Sequence, residues 1–374
     1  MINKKQIYTV IISSILAISV TACNSGGAGM QNTTQSSPVI QATTSTGVSS
    51  QATTYTASLV TDSKNSAYVI DFSNNTYSVK TFDGSAWVNV GSIVDASIAS
   101  VSGGKNSASL GVDKQDNLFI AYANGSTTYI KKFNAQADTW DLVTSINGVY
   151  YNYTFNFNSK NQGYLSYNNS STVFVNTINS DNSLTLIKQF GNSLPSGYVG
   201  DRNMSYTKID PSTDSLTAMF TSVSALDGSR TANISKYDAA SNSWATVSSF
   251  NLSTTINYAY NSTGQILVLD QDAQDGLIKV NIIANGKKKA YKSISATNVW
   301  GSSIIAGNNG EFYFFYNTNI IKYSTDSTGA ITETLISNSV ANSSKAVELL
   351  TVDSANNLYA SYLSSGNQIV ETYN

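Results

Sequence analysis

The sequence predicts an all-β protein, and three observations lead to that prediction. Asn, Ser, Thr and Tyr are abundant and long helix formers are few, a balance that favours strands and turns. No segment combines a sustained hydrophobic period of 3.6 residues with helix caps, so few helices are expected. Short apolar segments instead alternate with turn residues throughout the chain after residue 55.

One turn recurs seven times, at spacings of 45 to 53 residues. In each place a turn residue stands three positions before an apolar strand and follows a short apolar segment. Asn, Asp and Gly fill these positions, and all three tolerate a left-handed backbone. The seven turn residues are Asn65, Asp116, Asn161, Asp214, Gly264, Gly310 and Asn356. This regularity indicates one structural unit repeated in tandem.

The remainder of each unit completes a four-stranded antiparallel sheet. A further strand follows, such as Tyr129 to Phe133, and a turn leads to a last strand that Trp87, Trp140 and Trp244 open in three copies. Units of this kind bury their faces by packing around an axis, so the sequence predicts a seven-bladed β-propeller. Six or eight blades, or another tandem array such as two sandwiches, are the alternatives.

The last repeat ends one strand short of the others. Ring closure therefore predicts that a stretch between Pro38 and Thr54 supplies the outer strand of the last blade. Two local patterns resemble known propeller repeats: Val112 to Tyr122 reads Val-Asp-x-x-Asp-Asn-x-Phe-x-Ala-Tyr, and Phe82 to Trp87 reads Phe-Asp-Gly-Ser-x-Trp. They are similar to repeats of bacterial sialidase-like and kelch-like propellers. That resemblance implies the fold and no particular activity.

The N-terminus has the pattern of an export signal. Lys4 and Lys5 precede an uncharged apolar run from Ile7 to Val20 that is short for a membrane-spanning helix. The next residues, Val20-Thr21-Ala22-Cys23, resemble the lipobox of bacterial lipoprotein precursors. The resemblance implies cleavage before Cys23, attachment of diacylglycerol to its sulfur and acylation of its new amino group, with palmitate among the fatty acids. An ordinary secretory signal followed by a coincidental cysteine is the alternative.

The expected domains follow from these patterns. Residues 1–22 are predicted to be the signal peptide, residues 23–54 the lipidated cysteine and a Gly-, Ser-, Thr- and Gln-rich linker, and residues 55–374 the propeller. Several acyl chains would hold the mature protein on a membrane. Asn24, by resemblance to the sorting pattern of enteric bacteria, favours the outer membrane, with the leaflet left open.

The composition excludes several kinds of chemistry. The chain has no histidine and one cysteine, so histidine-based triads, histidine metal ligands and an internal disulfide are absent. Arg202 and Arg230 are the two arginines, fewer than the three that a sialidase uses to grip a carboxylate. Lysine plus arginine number 21 against 23 acidic residues, which argues against a nucleic-acid partner.

A candidate binding face comes from residues that break the repeat. In a propeller, the loops that enter the innermost strands share one face with the loops between the second and third strands. That face is predicted to receive Tyr and Arg side chains and an unrepeated Trp, residue types common in binding hot spots: Tyr150, Tyr151, Tyr198, Asp201, Arg202, Arg230 and Trp300. Pairing of Arg202 with Asp201, and packing of Trp300 between blades, are the alternatives.

One acidic segment invites comparison with a calcium loop. Asp270, Asp272 and Asp275 precede Gly276, but their spacing departs from the EF-hand pattern and no twelfth-position glutamate follows. A plain hairpin turn is favoured, and no cofactor is expected.

The sequence thus predicts a non-catalytic propeller that binds or scaffolds an envelope protein. The alternative is a glycan-directed protein, either lectin-like or a glycosidase with two carboxylates, using Tyr and Trp rings with Asp272 or Asp275. In both cases the membrane is a partner through the lipid anchor.

Overall fold

The computed structural model describes residues 44–48, 58–73, 76–82, 87–91, 93, 108–169, 172–191, 198–252, 255–271, 277–284, 287–295, 304–316, 319–325, 331–337, 347–364 and 367–373. All regular structure in these ranges is β-strand, arranged in seven four-stranded antiparallel sheets. The predicted seven-bladed β-propeller is confirmed. None of the described residues forms a helix of the length and hydrophobicity needed to cross a bilayer.

Blades 1 to 3 each use four consecutive strands. Blade 1 contains β2 (Leu59–Thr61), β3 (Ala67–Ser73), β4 (Thr76–Phe82) and β5 (Trp87–Asn89); blade 2 contains β6 (Ala108–Val112), β7 (Leu118–Asn124), β8 (Thr127–Asn134) and β9 (Thr139–Asn147); blade 3 contains β10 (Tyr151–Phe157), β11 (Gly163–Asn168), β12 (Val173–Ile178) and β13 (Leu184–Phe190).

Blades 4 to 6 repeat this order. Blade 4 contains β14 (Tyr198–Asp210), β15 (Ser215–Ser224), β16 (Arg230–Asp238) and β17 (Ser243–Leu252); blade 5 contains β18 (Thr255–Tyr260), β19 (Ile266–Gln271), β20 (Leu277–Ala284) and β21 (Lys287–Ser295); blade 6 contains β22 (Ile304–Ala306), β23 (Phe312–Tyr316), β24 (Asn319–Thr325) and β25 (Ile331–Ser337).

Blade 7 joins the two ends of the ring. It contains β26 (Val347–Val352), β27 (Leu358–Ser364), β28 (Asn367–Tyr373) and, as its outer strand, β1 (Thr44–Val48). Thr44 pairs with Thr372 and Val48 with Gln368 in an antiparallel register. The N-terminal segment therefore supplies the missing strand, as the sequence predicts.

The core consists of seven apolar clusters, one at each junction between neighbouring blades. The second strand of a blade is buried on both faces, and every residue of β7 and β11 is buried. Contacts between innermost strands run around the whole ring, with β2 touching both β6 and β26. The blades thus stabilise one another, since each sheet has two apolar faces and needs two neighbours to cover them.

Candidate functional site

The antiparallel strand order gives the ring two faces. The turn face carries the turns between the innermost and second strands and the loops between the third and outer strands. The loop face carries the loops that enter the innermost strands and those between the second and third strands. The loop face is the face on which the sequence predicts the recognition surface.

On the turn face, the repeated turn is closed by its first side chain. In blade 2, Asp113 Oδ1 accepts hydrogen bonds from the backbone N–H groups of Gln115 (2.8 Å) and Asn117 (2.9 Å). The fourth residue of the turn, or the fifth in the longer turn of blade 4, is left-handed in all seven blades, with φ between 55° at Asp214 and 88° at Gly310. The recurring Asn, Asp and Gly positions are thus explained by backbone geometry.

Neighbouring turns are joined by hydrogen bonds from blade to blade. The Ser63 N–H and hydroxyl of blade 1 donate to Asp116 of blade 2 at 2.8 and 2.7 Å, and Ser159 makes the same pair of bonds to Asp214 at 2.7 and 2.6 Å. These bonds lower the pKa of both aspartates. Hydrogen bonds of this kind also join blade 7 to blade 1, where the Ser354 hydroxyl donates to Asn65 Oδ1 at 2.7 Å.

Three blades add a tyrosine bound to a buried carboxylate. The hydroxyls of Tyr68, Tyr313 and Tyr359 donate to Asp62, Glu311 and Asp353 at 3.0, 3.2 and 3.1 Å. Burial, followed by the charge of the adjacent carboxylate, raises the pKa of each tyrosine to about 12. Each of these acids therefore accepts hydrogen bonds from within the fold.

Blade 6 reaches the same arrangement with different residues. Its turn begins with Gly307 instead of Asp or Asn, and a Cβ there would meet Glu311 Oε1 at 2.6 Å. The carboxylate of Glu311 thus fills the space that the turn's own side chain fills in other blades. Asn356 of blade 7 donates to it, so the acid again links two blades.

On the loop face, blade 4 is longer than its neighbours. Its innermost strand β14 has 13 residues, against 7 in β10 and 6 in β18, and its second strand β15 has 10. All three innermost strands end at the turn face, so the extra length extends the blade at the loop face. The second strand β15 has three residues more than β7 of blade 2, and at about 3.3 Å per residue these project about 10 Å.

Asp201 and Arg202 lie in a break of this long strand. Gly200 pairs with Ser222 and Ser205 with Phe220, so four residues of β14 oppose Thr221 alone. Such a bulge releases residues from the ladder, and the innermost strand has a free edge beside the central axis. The side chains of Tyr198, Asp201 and Arg202 lie outside the described part of the chain.

The hairpin between β15 and β16 forms the tip of the blade 4 projection. The Ser224 N–H donates to Ser229 O at 2.8 Å, and the Gly228 N–H donates to Ser224 O at 2.9 Å, so the loop backbone is tied at its base. Leu226 at its apex is 94% exposed. Arg230 opens β16 opposite Val223, and Tyr198 pairs with Ser224. The structure therefore brings Tyr198, Leu226 and Arg230 to one end of blade 4.

The two tyrosines of blade 3 differ in their use. Tyr150 packs against Tyr167 and Phe174, with ring centroids 4.7 and 5.5 Å apart, and donates to Asn147 O. It therefore contributes to the core between blades 2 and 3. Tyr151 begins β10 and is partly exposed, so it keeps surface for a partner.

The repeated tryptophans belong to packing. Trp87, Trp140 and Trp244 each pair across the strands with an aromatic ring, Phe82, Phe133 and Tyr237, at centroid distances of 5.7, 5.3 and 5.2 Å. Trp140 Nε1 also donates to Val90 O of the preceding blade at 3.1 Å. Trp300, the unrepeated tryptophan, lies outside the described residues, as does Cys23.

The acidic segment of blade 5 is described only at its start. Asp270 lies within β19, is 3% exposed and pairs in register with Thr255 and Lys279. Asp272 and Asp275 fall outside the described residues. Among the residues that are described, no group of three acidic or cysteine side chains is placed to hold a metal ion.

Sequence reasoning missed three residues of interest: Leu226, Tyr164 and Lys208. Leu226 sits in a short polar loop, and only its exposure distinguishes it. Lys208 and Tyr164 occupy ordinary strand positions. A comparison of the seven copies position by position would have found Lys208, since the matching residues are uncharged: Val60, Gly111, Asn156, Ala259, Ile305 and Thr351.

Solved structures share this fold at low sequence identity. A polysaccharide lyase, Uly1, aligns with a TM-score of 0.61 and 9% identity, covering 90% of this chain and 100% of its own. Virginiamycin B lyase from Staphylococcus aureus aligns with a TM-score of 0.58 and 12% identity over 88% of this chain and 98% of its own. The Dos1 propeller gives 0.54, with 7% identity over 89% and 95%.

No family model and no curated protein matches the sequence. The structural similarities extend over a whole propeller but lie at identities where only the fold is shared. The solved propellers include lyases and a protein described only by its propeller, so the fold alone does not select an activity.

Proposed function

We propose that this protein is a lipid-anchored envelope protein whose propeller binds a protein partner without catalysing a reaction. The observation that carries the proposal is the projection of blade 4 on the loop face, which presents Leu226 at 94% exposure on a hydrogen-bonded hairpin. An ordered loop with an exposed apolar side chain loses little conformational freedom when a partner covers it. An arginine at its base adds a multidentate donor.

The position of the closing strand supports the same use. Cys23, the proposed anchor, precedes β1 by about 20 residues, and β1 is the outer strand of blade 7. In a ring of seven blades, blade 4 lies almost opposite blade 7. A tether from Cys23 would therefore join the ring at blade 7 and leave blade 4 uncovered by its own attachment strand.

The acids of the turn face favour a structural role over a catalytic one. Asp353 accepts four hydrogen bonds, two from backbone N–H groups and two from side chains. A general acid or base needs a carboxyl group that can exchange a proton with substrate. Carboxylates that accept several hydrogen bonds within the fold stabilise the turns of the propeller.

The partner surface is tested by site-specific crosslinking in intact envelopes. A photo-reactive amino acid is placed at position 226 of the full-length chain, and at position 142 as a matched control, because Leu142 is also an exposed leucine (59%) but lies on outer strand β9. We expect one defined protein to be crosslinked from position 226 and lost when Arg230→Ala is added. Equal products from both positions, or none from position 226, would overturn the proposed surface.

The anchor is tested separately with an alkyne-tagged fatty acid. We expect the native chain to incorporate the label and a Cys23→Ser variant to lack it and to leave the membrane fraction. Labelling of the Cys23→Ser chain would contradict the anchor.

A further inference from the structure

Blade 3 carries the repeated turn and tyrosine of blades 1 and 7 but connects them differently. In those blades the turn begins with Asp62 or Asp353, whose second carboxylate oxygen accepts the tyrosine hydroxyl. Blade 3 has Asn158 at the matching position. Asn158 Oδ1 accepts the backbone N–H groups of Lys160 (3.1 Å) and Gln162 (2.9 Å), so its other side-chain atom is an N–H₂ donor.

Tyr164 consequently lacks the acceptor that its counterparts use. It is 3% exposed, yet its hydroxyl has no hydrogen-bond partner among the described residues. Asn158 is 9% exposed, and its Nδ2 likewise has none in the described part of the chain. The residues as a whole are largely buried, but the Tyr164 hydroxyl and Asn158 Nδ2 are not sealed from solvent, so both can form hydrogen bonds in the open space beside them. A ligand could satisfy both.

Both residues line open space on the turn face. A groove of about 540 Å³ lies between blades 3 and 4, and a second of about 660 Å³ lies between blades 2 and 3. Four residues line both grooves: Asn158, Lys160, Tyr164 and Ala239. The side chains of Asn158 and Tyr164 therefore lie where the two grooves meet. Volumes of this size suit a small ligand.

The chemistry of the blade 3–4 groove is mixed. Asn158 Nδ2, the Tyr164 hydroxyl and the Lys160 ammonium can donate, while Asp214 and Asp238 can accept. Hydrogen bonds from Ser159 and Ser241 hold the pKa of these two aspartates below the usual range, so both stay charged. Lys160 and Lys236 line the same groove, and the two charges of each sign together favour a neutral ligand. The exposed side chains of Ala239, Ala240 and Val247 add an apolar strip.

We propose that this groove is a binding site for a neutral mono- or disaccharide. Sugar hydroxyl groups both donate and accept, and so match a site with donors on one side and carboxylates on the other. The C–H face of a sugar ring suits the apolar strip. The site lies on the turn face and is independent of the protein-binding surface on blade 4.

Calorimetry and tryptophan fluorescence test the site on the full-length chain, with maltose, cellobiose, lactose and N-acetylglucosamine as probes up to about 20 mM, since isolated small sites of this kind bind in the millimolar range. Trp244 stacks on Tyr237, which lines the groove, and reports occupancy. We expect saturable binding of at least one probe, weakened about tenfold by Tyr164→Phe, which removes one hydrogen bond.

Two further variants isolate the cause. Asn158→Asp recreates the acceptor found in blade 7, and we expect Tyr164 to turn to it and binding to fall by about tenfold or more. Tyr359→Phe, the matched control in blade 7, should leave the affinity within about twofold. No saturable binding by the native chain, native-like binding by Tyr164→Phe, or tighter binding of glucuronic acid than of the neutral sugars would overturn the proposal.

Discussion

Blades 3 and 7 contain the same kind of turn and the same tyrosine, and they differ in the side-chain atom that faces the tyrosine hydroxyl. In blade 7, Asp353 Oδ2 accepts the Tyr359 hydroxyl at 3.1 Å and the Asn357 amide at 2.8 Å. In blade 3, Asn158 presents a nitrogen in place of that oxygen, and Tyr164 stands at the groove. Exchanging an acceptor for a donor turns a sealed junction into an accessible polar one.

The comparison also shows why repeats diverge without losing the fold. The bonds that close each turn use the first side-chain oxygen and the backbone, which Asp and Asn supply equally. The second polar atom of that side chain, an oxygen in Asp and a nitrogen in Asn, takes no part in closing the turn and can therefore differ between blades. Stability of the turn and chemistry of the surface are therefore set by different atoms of one residue.

The largest expected effect comes from removing the acceptor in blade 7. Asp353 is 2% exposed and accepts four hydrogen bonds, so Asp353→Ala should lower the free energy of unfolding by about 3 kcal/mol. Asn158→Ala removes two accepted bonds and should cost about 1 kcal/mol. Urea denaturation measures the free energy of unfolding of both variants. Equal losses of stability would contradict the proposed difference between blades 3 and 7.

A smaller effect is expected from the tyrosine hydroxyls. Tyr359→Phe removes a hydrogen bond to a buried carboxylate and should cost about 1.5 kcal/mol of stability. Tyr164→Phe removes a hydroxyl without a described partner, so the free energy of unfolding should change by less than about 0.5 kcal/mol. Thermal denaturation in the absence of sugar compares them. A larger loss for Tyr164→Phe would show that blade 3 is sealed after all.

An effect of about 1 kcal/mol and of opposite sign is expected at Lys208, another departure from the repeat. Thr207 accepts a hydrogen bond from Asn156 of blade 3 at 2.8 Å, and Ile209 packs in the core between blades 3 and 4. Strand alternation therefore turns Lys208 toward blade 5. It is partly exposed but enclosed by protein, and burial lowers its pKa.

Replacement of Lys208 should stabilise the ring in a pH-dependent way. Between its lowered folded pKa and the ordinary value near 10.4, the unfolded chain binds more protons, so native stability rises with pH. Lys208→Met should thus gain about 1 kcal/mol at pH 7, and the gain should shrink as pH approaches 10. Denaturation at pH 7 and 9.5 tests this, with Lys236→Met as control, because Lys236 is paired with Asp210 at 3.7 Å. A pH-independent gain would contradict the mechanism.

The repeat itself determined much of the molecule. The seven units can be predicted from their turn residues, such as Asn65 and Asp116. Because a left-handed backbone favours Asn, Asp and Gly, these residues recur at the same place in every repeat and can be recognised in a single sequence. Closure by an N-terminal strand followed from the strand count of the last repeat, which supplies three strands where each other repeat supplies four. The packing of Trp87 against Phe82 is a local consequence of the hairpin.

Other features depended on contacts between blades, which are distant in the sequence. Tyr150 is predicted on the binding face; in the structure it is partly exposed and its ring packs against Tyr167 and Phe174, contacts that cannot be seen locally in the sequence. Leu226, Tyr164 and Asn158 became candidates only when exposure and hydrogen-bond partners were known. The sequence determined which strands form and in what order, because that depends on local conformational preference and on periodicity. The tertiary structure decided which polar groups are hydrogen-bonded within the fold and which are accessible to a ligand. That depends on which atom the fold brings within about 3 Å of each group.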